Sequence, residues 1–199
     1  VWVATKPEQR YDLAYYQRRL LRGMELDVAL IQTKSIASLL SSGADLLSIA
    51  STVVNFAAVN IETFGEGMIR LACVARLSPC LCPENHYTGL SFATRQLSVE
   101  ANSGPPRRAR DPLSNPVAMT TVKRWLRQWV LTRHRDGVER TLLAGEASQP
   151  PAEDFVDLLC GAAAERLYAD GGHLLDACNK MIELTEFLGD KTPPDLSGM

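Results

Sequence analysis

The sequence shows no sustained alternation of β-branched and polar residues, and no Asn-Gly or Asp-Gly pair set between such runs. That excludes a sheet-based fold and leaves helix as the reading almost throughout. No apolar run reaches the roughly 18 residues of a membrane-spanning helix, since even AVNIETFGEGMI is interrupted by charge and glycine. The chain also lacks an excess of either charge: 21 basic residues stand against 23 acidic ones, so no overall field would recruit nucleic acid or an anionic membrane. Phosphate-binding glycine loops are missing, because GEGM and DGG match neither nucleotide fingerprint. The opening VWVATKPEQRYDLAYYQRR lacks the basic-then-apolar order of a signal peptide, and the five cysteines are an odd number. Reduced thiols in a soluble, cytoplasmic protein are expected. Cys160 and Cys178, set among Leu, Ala and Met, read as small buried hydrophobes.

What is present is helical periodicity in a chain of 199 residues, 46% hydrophobic, enough for one sizeable core. The spacing predicts helices over 8–22, 26–40, 45–64, 68–76, 87–99, 122–131, 138–143, 152–168 and 172–188. The one over 45–64 is apolar around most of its circumference, the mark of a buried helix. Residues 101–119, with four prolines and three arginines, read as a linker in which Arg107, Arg108 and Arg110 form a solvated charge cluster. An all-α, single-domain bundle of two related halves (1–100 and 120–199) joined by this linker is expected.

The two halves invite comparison. LLSSGADLLSIASTVVNFAAVNIETFGEG and LLAGEASQPPAEDFVDLLCGAAAERLYADGG each run from a Leu-Leu helix end into a long buried helix that stops at glycines. A histidine then opens a further helix in each, in HYTGLSFATRQL at His86 and in HLLDACNKMIEL at His173, although the first half needs about 18 extra residues before its histidine.

The segment AAAERLYADGGHLLDACNKMIELTEFLG resembles the helical domain that precedes a Rieske iron–sulfur domain in some bacterial proteins and, more distantly, the questin-oxidase-like proteins. The family's Gly-His-x-x-Asp-x-x-Asn-Lys run falls on Gly172, His173, Asp176, Asn179 and Lys180. Its paired-histidine motif falls on Asn85, His86, Tyr87 and Thr88, with Asn85 where the family has a histidine. The resemblance implies a non-haem metal-dependent oxidoreductase acting on a small organic, aromatic substrate, with a homodimer or a Rieske-type electron-transfer partner. No Rieske cluster motif occurs in this chain.

These residues suggest iron or zinc held by His86 and His173, with a carboxylate completing a two-histidine, one-carboxylate set. Glu165 is the preferred third ligand, with Glu62, Glu66 and Asp176 as alternatives. His173, Asp176 and Lys180 share one helical face, so Asp176 could orient a ligand and Lys180 could bind an anionic substrate. A second metal set is Cys73, Cys80, Cys82 and His86. The competing reading is a helical binding or scaffold module that forms an oligomer or docks a partner. Its histidines would be structural, and the tyrosine-rich first helix or the Trp125/Trp129 face would meet another chain.

Overall fold

The computed structural model describes residues 12–105, 107, 108, 110–113, 117–194, 196 and 199. Among them the chain forms nine α-helices and two short 3-10 turns, with no strand. In order, these are α1 (Leu13–Glu25), α2 (Ala29–Ser41), α3 (Leu46–Asn60), α4 (Glu66–Leu77), α5 (Pro83–Ser103), α6 (Met119–Thr132), α7 (Arg135–Ala147), α8 (Ala152–Ala164) and α9 (His173–Leu188).

Local chemistry sets the boundaries. Asp12 and Asp45 cap α1 and α3 by accepting the Tyr15 and Ser48 N–H groups at 2.7 Å. The first residues of the helix expected from position 8 lie outside the described residues. The helix expected over 45–64 stops at Asn60, because Ile61 is extended and buried. Over 138–143 the expectation was too short. His134 Nδ1 accepts the Gly137 N–H at 3.0 Å and starts α7 at Arg135, and Gly145 lies inside the helix rather than ending it. Before α9, Gly171 and Gly172 take φ of 67° and 82°, a left-handed pair that glycine adopts at little cost. The roughly 18 extra residues ahead of His86 fold as α4 and a 3-10 turn at Ser78–Cys80.

One hydrophobic cluster runs from Leu20 in α1 to Leu196 near the end of the chain. Helix α4 organises it. Against α5 it packs antiparallel and close: a Cβ on Gly67 would meet Leu97, and one on Gly89 would meet Val74. Glu100 of α5 also accepts the Gly67 N–H at 3.0 Å, which satisfies a free donor at the start of α4. Against α9, α4 runs parallel. Cys73 and Asp176 lie within electrostatic range of Lys180, and Arg76 within range of Glu183 one turn further along. At the other end, Thr63 and Phe64, just before α4, line the same space as Leu174 and Cys178 of α9.

Of the three linker arginines Arg108 is exposed as expected, but Arg107 and Arg110 are not part of a solvated cluster. Arg107 and Glu139 are each 4% exposed and stand 3.6 Å apart, with Arg107 also donating to the Ala58 carbonyl. Arg110 reaches Glu139 at 2.8 Å and Asp136 at 2.7 Å, and Arg135 reaches Glu62 at 2.7 Å. The linker is thereby pinned between the end of α3 and the face of α7. Three guanidiniums meet three carboxylates, so this network offers no spare cationic charge.

Candidate functional site: an apolar cavity between α6, α7, α8 and α9

The residues expected to hold a metal are not brought together. His86 lies in the first turn of α5, where its Nε2 is 2.9 Å from the Ser78 carbonyl oxygen, just past the end of α4. His173 is exposed and opens α9, whose start lies beside the opposite end of α4. Helix α4 has 12 residues, which at about 1.5 Å each separate its ends by roughly 18 Å. Two imidazoles on one ion with bonds of ~2.1 Å must lie within about 4 Å of each other.

The carboxylates are scattered as well. Glu165 ends α8, 3.8 Å from Arg127, while Glu66 pairs with Arg70 and Glu62 belongs to the linker network. Among the described residues no group of three or more His, Cys, Asp and Glu is placed to hold a metal ion, which includes Cys73, Cys80, Cys82 and His86.

On α9 the spacing behaves as helical geometry requires. His173, Asp176 and Lys180 form one stripe, and Leu174, Ala177, Cys178 and Met181 form another. Lys180 is engaged by Glu183, 2.8 Å away. This bond raises the Lys180 pKa above its ordinary 10.5 and holds the Glu183 carboxyl below its ordinary 4.5. Asp176 is exposed in the first turn.

The second stripe of α9 faces a void. A cavity of about 250 Å³ is lined by Leu126 and Val130 of α6, Val138 and Leu142 of α7, Leu159, Ala162 and Ala163 of α8, and the second stripe of α9. Thr63, Phe64 and Met199 also line it. Protein interiors are close-packed, with few voids larger than a water molecule, so an apolar space of this size is a distinct feature. Its walls carry almost no hydrogen-bonding groups, and ordered water needs such partners. Small side chains at Ala162, Ala163, Ala177 and Cys178, where four helices converge, leave the room open.

Cys178 lies on the wall of the cavity. Burial first, and then neighbouring Cys160, push its pKa up from 9.0 to about 11. Only the thiolate reacts quickly, so at pH 8 iodoacetamide should modify the exposed Cys80 and Cys82 first and Cys178 last, a ranking that peptide mass spectrometry resolves.

The cavity adjoins a surface groove of about 360 Å³ lined by Trp129, Val130, Arg133, Arg135, Val138, Arg166, Asp170 and Leu174. Val130, Val138 and Leu174 border both spaces. Trp129, expected as part of a core or partner face, forms a wall of this groove and stacks against His134 with ring centroids 4.9 Å apart. No helix among the described residues is long and apolar enough to cross a membrane. No protein-family model, curated protein or solved structure matches the chain.

Proposed function

We propose that the chain is a helical binding module that takes a small, apolar organic molecule into the α6–α9 cavity. The observation that carries this reading is the cavity itself: about 250 Å³, almost wholly apolar, and bordered by a surface groove that shares Val130, Val138 and Leu174 with it. An engineered apolar cavity of about 150 Å³ stays dry and binds benzene, so this one has room for one or two fused rings. Binding would exchange lost dispersion contacts and exposed apolar ligand surface for packed contacts. Aromatic substrates are also what the sequence resemblance implies. The metal-dependent oxidation implied with them finds no support in the geometry, because its two histidines stand at opposite ends of α4. Measuring iron and zinc in protein purified without chelators tests that reading separately.

Indole, a neutral two-ring probe, tests the binding reading. At about ten times its Kd a ligand that binds only the native state adds about 1.4 kcal/mol. For a chain of this size that raises Tm by about 3–5 °C. Ala163→Leu, which fills the cavity from the α8 wall, should fold normally and lose the shift. Absence of a saturable shift in the native chain, or an undiminished shift in the variant, would overturn the proposal.

A further inference from the structure

The groove beside the cavity carries a charge pattern that the cavity alone does not explain. Four charged residues line it: Arg133, Arg135, Arg166 and Asp170. Arg135 is committed to Glu62 at 2.7 Å. Asp170 is turned to its own loop, where Oδ1 accepts the Gly172 N–H at 3.1 Å. Arg133 and Arg166 are different. Neither guanidinium makes an ion pair or a side-chain hydrogen bond among the described residues, whereas Arg107, Arg110, Arg127 and Arg135 all have carboxylate partners.

Arg133 is placed by the backbone. It ends α6 in a left-handed conformation with φ 56°, and its N–H donates to the carbonyls of the last turn of α6. Arg166 sits in the turn after α8, so the two cations come to one groove from different helix ends. The Trp129 indole supplies a flat apolar wall beside them, and Val130, Val138 and Leu174 border both this groove and the cavity.

We infer that the ligand is an organic carboxylate, with its apolar body in the cavity and its carboxylate in the groove between Arg133 and Arg166. This rests on the cavity being a binding site. A guanidinium presents donors in a fixed fork that matches a carboxylate, and a charge-assisted hydrogen bond is about twice as strong as a neutral one. An apolar pocket with a few convergent polar groups at one end fixes the orientation of its ligand.

The probes are 2-naphthoate and its neutral counterpart 2-naphthamide, titrated by calorimetry into the full chain and into R133Q/R166Q. Both substitutions lie in a surface groove and break no ion pair or side-chain hydrogen bond among the described residues, and circular dichroism checks that the variant is folded. The native chain should bind the carboxylate about tenfold or more tightly than the amide. The double variant should bind the two alike. Equal affinities in the native chain would overturn the carboxylate assignment while leaving the cavity reading intact. A preference that survives in the double variant would overturn the role of the two arginines. Failure of both probes to bind, together with indole, would remove the cavity reading itself.

Discussion

Replacing Glu139 with alanine should destabilise the fold by about 3–5 kcal/mol, the cost of leaving a buried charge without its partner. Glu139 is buried on α7, and the Arg107 guanidinium beside it is equally shielded from water. Arg110 loses less, because it is 19% exposed and keeps Asp136 at 2.7 Å. The asymmetry is testable: an Arg107→Met, Glu139→Leu double variant removes both charges and should recover most of the stability lost in the single variant. Urea unfolding of the three proteins measures this, and a Glu139→Ala loss of under about 1 kcal/mol would mean that the network is only a surface ornament.

The same network gives the stability a pH dependence. Glu62 accepts the Arg108 N–H at 2.9 Å, and this bond, opposed by burial and helped by Arg135, Arg110 and Arg107, lowers its pKa from 4.5. A carboxyl whose folded pKa is lowered contributes stability that is complete above its unfolded value and is lost as pH falls through its folded value. Acidification from about pH 5 downward should therefore cost the native chain more than it costs Glu62→Gln.

Gly67→Ala should destabilise although alanine is the better helix former. Propensity alone would return about 1 kcal/mol. Against that, the added Cβ would lie 2.6 Å from Leu97 Cγ and 2.8 Å from the Leu97 backbone nitrogen. A side chain can turn aside, but the α5 backbone cannot move without separating the whole α4–α5 pair, so overpacking of about 1–3 kcal/mol wins. Gly145→Ala is the control: its nearest neighbours are the side chains of Val122 and Leu158 at 3.2 and 3.3 Å, and it should be close to neutral. Equal effects at the two positions would show that the α4–α5 approach is looser than its geometry.

Most helices were legible in the sequence, because apolar spacing and breakers such as Pro150 are local signals, although α1 runs on through the buried Gly23 to Glu25 rather than stopping at 22. The end of α3 was decided by tertiary placement, since Ile61 buries itself in an extended conformation, whereas α7 starts earlier through the local His134 cap and α8 stops at Ala164 rather than at 168. Arg107 and Arg110 were misread for a different reason: they find Glu139 only after folding, and composition carries no information about a partner so far along the chain. The stripe of His173, Asp176 and Lys180 was readable from spacing, but the direction it faces was not. The cavity was hidden because a void is a property of how four helices meet. Its one sequence signal was the cluster of small residues at Ala162, Ala163, Ala177 and Cys178, which read equally well as ordinary core.

The most direct measurement is the position of a bound ligand. With the methyl groups of valine, leucine and isoleucine labelled, a titration with indole should shift Val130, Val138, Leu142, Leu159 and Leu174 and give intermolecular nuclear Overhauser contacts to them. Core methyls remote from the cavity, such as Leu20, Ile36 and Leu39 in α1 and α2, should stay still. Contacts confined to the cavity walls would establish the binding site. Contacts spread over exposed residues such as Leu30, Val59 and Leu77, or none at all under saturating ligand, would contradict it.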